Sequence, residues 1–291
     1  KRQAQLSCLI NNRELYSRMR FLSHLCPEEP YRLYEYGDEK EVEKLDNKSL
    51  FNFYQRLLQE TPFIIYTDGL DHDDVLTVLD GLGRNAPAIT PFEQKCRVAR
   101  KRIKKVSEKM DVKQAFLWLG FRADLPPTDE RATAAQLLSA IFGGMPTSRL
   151  FKTVRLKNSL AYDIYSSYVR SKGILSTFSC VAVENVTATE RLIMSEWNKI
   201  LKGDINDEEI SVAKKHIIQD LESLSDSPLA LADFYAYGLL LGMKESPERR
   251  IASIRRLKRD DIISVAQLFK CDTLFSLLPQ KTKPGVSECR K

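Results

Sequence analysis

The chain has 291 residues, a length that suits two domains better than one. Hydrophobic residues make up 43%, and 12 Gly and 12 Pro are spread without a biased tract, which excludes a disordered or fibrous chain. The net charge is +6, but 45 basic residues are mixed with 39 acidic ones. The basic clusters at 97–105 and 249–259 therefore read as solvated faces, and no nucleic-acid partner is expected.

No run of about 18 apolar residues occurs, so no membrane-crossing helix is expected. The first residues, Lys1 to Gln5, lead into no apolar signal segment, and no initiator Met is present. The expectation is a processed or incomplete piece of a longer protein. Cys8, Cys26, Cys96, Cys180, Cys271 and Cys289 form no CxxC pair. They read as buried thiols in a reducing compartment, with the cytoplasm as the expected location.

In chain order, Leu6, Leu9, Ile10, Leu15, Met19 and Leu22 recur at helical spacing and predict a helix over 5–24, ended by Pro27 and Pro30. Asp46 reads as the N-cap of a second helix carrying Leu50, Phe51, Phe53, Tyr54, Leu57 and Leu58. The apolar run 62–67, closed by Asp68-Gly69, predicts a short buried strand. A helix opening at Asp71 or His72 follows, and the Pro-containing stretch 84–94 reads as a linker. Beyond it, strands are predicted at 102–107, 114–121, 161–169, 174–183 and 273–278. Helices are predicted at 129–142, 148–157, 187–201, 207–224, 229–241 and 259–269.

Residues 45–50 resemble 257–262 at an offset of 212, and the same offset lays 63–65 on 275–277. Such a repeat implies two related domains of about 210 residues. The expected fold is α+β, each domain a largely antiparallel sheet backed by helices. Residues 1–84 would be the C-terminal part of a truncated first domain, 85–94 a linker, and 95–291 the second domain.

The three histidines, His24, His72 and His216, are too scattered to build a zinc site within the chain, and neither HExxH nor HxxEH is present. No nucleophile elbow and no Gly-rich nucleotide loop occurs. One segment stands out: Gly143-Gly144-Met145-Pro146-Thr147-Ser148-Arg149-Leu150-Phe151, continuing through Val154-Arg155 to Leu160-Ala161-Tyr162. Local structure accounts for it as a helix C-cap glycine pair, a turn at Pro146, a Ser148-capped helix and a strand.

This run resembles the second-domain signature of the insulinase, or pitrilysin-like, zinc peptidases, the inverzincin family that includes the mitochondrial processing peptidase and its bacterial relatives. The stretches Cys26-Pro27-Glu28-Glu29-Pro30-Tyr31 and Ser227-Pro228-Leu229-Ala230-Leu231-Ala232-Asp233-Phe234-Tyr235 are similar to other parts of the bacterial members.

The resemblance implies that Arg155 and Tyr162, seven positions apart, bind the backbone of a peptide substrate from the half opposite the zinc. It also implies that a downstream Glu ligand would fall at or near Gln5, where a neutral amide is a poor substitute for a carboxylate. The expectation is a bacterial non-catalytic member with no catalytic and no metal-binding residues of its own. It would bind peptide for a homologous zinc-bearing subunit, or self-associate, with zinc held in the partner. Two alternatives stay open on the sequence: an active peptidase whose HxxEH lies upstream of residue 1, and a scaffold or binding protein with no part in hydrolysis.

Overall fold

The computed structural model describes residues 11–280 except 36, 38, 68, 81–88 and 92–94. Gln5 and most of the expected linker lie outside the described residues. Four helices come first: α1 (Arg13–Leu25), α2 (Glu39–Glu43), α3 (Asn47–Glu60) and α4 (His72–Asp80). Then come β1 (Lys104–Met110), β2 (Ala115–Arg122), α5 (Arg131–Ser139), β3 (Ala161–Val169) and β4 (Ile174–Val181). The chain continues through α6 (Val186–Leu201), α7 (Asp207–Glu222), α8 (Pro228–Leu240), α9 (Pro247–Arg256), α10 (Arg259–Leu268) and β5 (Lys270–Pro279).

The fold is α+β. Its five-stranded sheet has the order β1-β5-β2-β4-β3, parallel only between β1 and β5. The central strand β2 is buried on both faces, which is why it reads as an unbroken apolar run rather than an alternating one. Leu117, Leu119 and Phe121 point into the larger core, where Phe121 meets Phe142 and Trp197 beneath the helices that follow it. Trp118 points the other way, onto α1.

Helix α1 covers that second face. Phe21 stacks on Trp118 with ring centroids 5.3 Å apart, and Leu25 is buried beside it. A Cβ at Gly120 would lie 2.8 Å from the Phe21 ring, so glycine in the middle of β2 makes room for the helix. Polar contacts fix its position. Trp118 Nε1 donates to Ser17 Oγ (2.8 Å), Tyr165 Oη donates to Glu14 (2.8 Å), and Arg20 and His24 both bond Glu108. Arg122, almost fully buried, donates to the Leu25 carbonyl (2.8 Å) and to Glu29 (2.6 Å).

Several expectations are corrected. The α-helix starts at Arg13, because Asn12 caps it by accepting from Leu15 N, so it is not continuous from residue 5. Residues 62–67 are not a strand: their β-forming side chains find no ladder among the described residues, and Ile65 is exposed. The 212-residue offset therefore matches a helix to a helix (α3 to α10) but not a strand to β5. A helix that the periodicity does not show, α9, lies within the second basic cluster. Of the described cysteines, Cys26 and Cys180 are buried as expected, whereas Cys96 and Cys271 are only partly so; burial pushes Cys26 and Cys271 up to about 12. No helix of the described residues is long and apolar enough to cross a membrane.

Candidate functional site

The structure divides the 143–162 run into residues that hold the fold and residues left over. A Cβ at Gly143 would sit 2.7 Å from Ser166 N and 2.9 Å from Ser166 Cβ, so glycine lets the end of α5 close onto β3. Gly143 and Gly144 lie inside the π-type segment Ala140–Gly144 that continues α5, and neither has a positive φ, which corrects their reading as a helix C-cap pair. Ser166 Oγ donates to the Ser139 carbonyl across the same approach (2.8 Å). Ser148 caps the next turn, accepting weakly from Phe151 N (3.4 Å). Arg149 is buried and forks onto Glu209 at 2.8 and 2.7 Å, with Glu196 at 3.8 Å, tying the segment to α6 and α7. Leu150 and Val154 are fully buried.

Much of what remains faces solvent, Leu156 included. Arg155 is exposed, and its guanidinium lies over the Phe151 ring, 5.0 Å from the centroid. It sits in a wide π-type turn over Phe151–Lys157, a distortion common where helices carry function. Asn158 donates to the Thr153 carbonyl (2.7 Å) and Leu160 N to the Val154 carbonyl (3.0 Å), closing the turn, while Ser159 takes φ 51°. A non-glycine residue in that region is uncommon.

Tyr162 follows three residues after Ser159 and is 61% exposed. In the β3–β4 ladder Ala161 pairs with Val181 and Asp163 with Cys180, so Tyr162 is an inserted residue with no cross-strand partner. Such a bulge redirects side chains, and here Tyr162 and Asp163 both face solvent in succession, against strict alternation. The phenol is not a core group.

These residues adjoin a shallow groove of about 390 Å³ lined by Gly143, Gly144, Phe151, Asp163 and Ser166 among others. Phe151 carries Arg155 on its ring, and Asp163 is the neighbour of Tyr162. The groove runs beside β3, which among the described residues is an edge strand with its outer backbone groups unpaired in the sheet. Phe151 and Asp163 were not among the residues the sequence singled out, although the Phe151/Arg155 spacing of four on a helix was a readable signal.

Among the described residues no group of three or more His, Cys, Asp or Glu side chains gathers where it could hold a metal. His24 is taken up by Glu108 (2.8 Å), and His216 lies 3.8 Å from Asp220. The described residues thus do not fit a zinc site.

Comparison with known proteins places the run in a family. Residues 44–217 match the family profile described as the Peptidase M16 inactive domain. The chain belongs to the M16 peptidase family. The probable inactive metalloprotease YmfF of Bacillus subtilis is 26% identical over 276 residues, 94% of this chain. The chain spans only 65% of that relative's length. A conserved protein from Enterococcus faecalis superposes with a TM-score of 0.87 at 22% identity, over 97% of this chain and 67% of that one. A chain of complex III2 from Candida albicans does so with a TM-score of 0.74 at 18% identity, over 96% and 69%. At these identities the solved structures establish the fold alone. The matched M16 region is thus of the family's inactive type, and the exposed Arg155 and Tyr162 lie within it.

Proposed function

We propose that this M16 chain is a non-catalytic component that binds peptide substrate for a homologous, zinc-bearing partner, with Arg155 and Tyr162 as its contribution. Residues 1–84 then end a first peptidase-like domain, and 95–291 form the second. One observation carries the reading. In the 143–162 run Gly143, the Ser148 cap, the buried Arg149 and the buried Leu150 and Val154 have structural work, whereas Arg155 and Tyr162 have little and, with Leu156 exposed beside Arg155, are presented to solvent by a π-type turn and a bulge.

The chemistry suits an extended peptide. An Arg fork donates to a peptide carbonyl or a carboxylate, and a phenol donates to a carbonyl oxygen as it gains negative charge. The open edge of β3 offers backbone groups of the kind that extended peptides pair with elsewhere. That a complex III2 chain shares the fold supports a scaffold able to work inside an assembly.

The test combines the purified full-length protein with its zinc-bearing homologue in a peptide-cleavage assay. Arg155→Ala and Tyr162→Phe are expected to lower kcat by about 10²-fold or more each, the scale of losing one donor to a developing oxyanion. Full activity in both variants would remove the proposed role. About one zinc per full-length chain by metal analysis would overturn the non-catalytic part.

A further inference from the structure

A second concavity lies at the opposite end of β3. The strand runs from the bulge at Tyr162 to the turn at Arg170, about 26 Å at the usual rise per residue. There a cleft of about 570 Å³, within the usual range for small-molecule sites, opens between the start of α5, the loop after α8 and the length of α9. Its cations come from three separate elements: Arg170 from the turn after β3, Lys244 from the loop, and Arg249 and Arg256 from α9. None of the four makes an ion pair among the described residues. Of the two lining carboxylates, Glu245 is held by Arg250 (2.9 Å), whose guanidinium also lies 4.5 Å from the Phe234 ring centroid. Glu130 is the other.

The cleft is built on fixed backbone. Helix α8 ends in a Schellman motif: Gly242 takes φ 73°, its N–H reaches the Leu239 carbonyl (3.2 Å), and Met243 N reaches Gly238 O (2.8 Å). Arg170 is held by Pro127 O (2.8 Å) and Thr133 Oγ1 (3.4 Å). Burial, and then repulsion from Arg250, pushes its guanidinium below the ordinary value. The other arginines of the α9 region are already engaged elsewhere: Arg259 pairs with Asp207 (2.7 Å), and Arg255 lies 3.9 Å from Glu222.

We propose that this cleft is a binding site for a small phosphate-bearing anion with more than one phosphate group. Three elements present cationic donors around one space, with Thr128, Thr133 and Ser253 among the lining residues. A tetrahedral oxyanion accepts from several directions at once, whereas a planar carboxylate accepts from fewer, and the guanidinium fork matches phosphate geometry. The site is independent of the peptide-binding reading.

The probe is inorganic tripolyphosphate, titrated calorimetrically into the full chain at moderate salt. Saturable one-to-one binding is expected. The double substitution Arg249→Gln/Arg256→Gln, at two exposed positions that the fold does not need, should weaken it at least tenfold. Arg255→Gln/Arg259→Gln should leave it unchanged. Absence of binding, equal weakening by both pairs, or equally tight binding of citrate would overturn the proposal. Thermal denaturation of both variants confirms that the comparison is between folded proteins.

Discussion

Helices α1 and α3 present the same kind of sequence and meet opposite fates. Both precede the expected linker, both are amphipathic, and both have a side-chain N-cap, Asn12 and Asp46. In α1 the apolar side ends up buried, with Phe21 and Leu25 each at 1% exposure. In α3 no residue is buried, and Phe51 and Tyr54 are more than half exposed. The difference is the surface opposite. Helix α1 finds a β2 with a glycine where the helix must come close, an indole aimed at Ser17, and Arg122 waiting for its C-terminal carbonyl. Periodicity specifies that a face is apolar; it does not say what covers it.

The largest expected effect is on α1. Phe21→Ala should destabilise the chain by about 3–5 kcal/mol, the range for losing a fully buried phenylalanine, measured by urea denaturation. A loss below about 1 kcal/mol would mean that α1 is not part of the cooperative unit. Next, Gly120→Ala pushes a methyl into the Phe21 ring and Leu25, and should cost about 1–3 kcal/mol. The two substitutions should not add, because removing the ring frees the space that the methyl needs. Strict additivity in the double mutant would place the damage elsewhere.

A smaller effect is expected from acid. The hydrogen bond from Arg20, helped by His24, holds the Glu108 carboxyl below its ordinary value. A carboxylate with a depressed folded-state pKa contributes stability that is fully present above its unfolded value, about 4.3, and is lost as pH falls through the folded one. Stability should therefore fall more steeply below about pH 4 in the parent than in Glu108→Gln. Parallel curves would show that this contact does not anchor the helix.

Much of the sheet was legible because its signals are local. The strand at Ala161–Val169 and the start of β4 at Ile174 coincide with the sequence reading, and β2 is visible as an apolar run. Helix α9 was hidden because only Pro247, Ile251 and Ile254 in it are buried, among four arginines. The run 62–67 misled for the converse reason: it has β-forming residues but no described neighbour to pair with. At the site, Arg155 and Tyr162 were identified by resemblance, and their exposure could not be read from sequence. The bulge that inserts Tyr162 depends on register against β4, and the need for glycine at 143 depends on Ser166, 23 positions away in sequence. The role of Arg149 likewise rests on Glu209, which no local pattern connects to it.

The smallest expected effect tests α3. Phe51→Ser exchanges a large apolar side chain for a hydroxyl at a position 58% exposed. Its contacts in the chain are few, so stability should stay within about 0.5 kcal/mol of the parent, and solubility should rise as apolar surface is removed. The same exchange at Phe21 would be ruinous, although both phenylalanines sit on the apolar side of a capped helix. A loss above about 1.5 kcal/mol at Phe51 would show that the face of α3 is already covered in solution, since such a loss needs burial that the described residues do not supply. Sedimentation of the parent and the variant then separates self-association, which the substitution would weaken, from packing within a single chain, which would leave the mass unchanged.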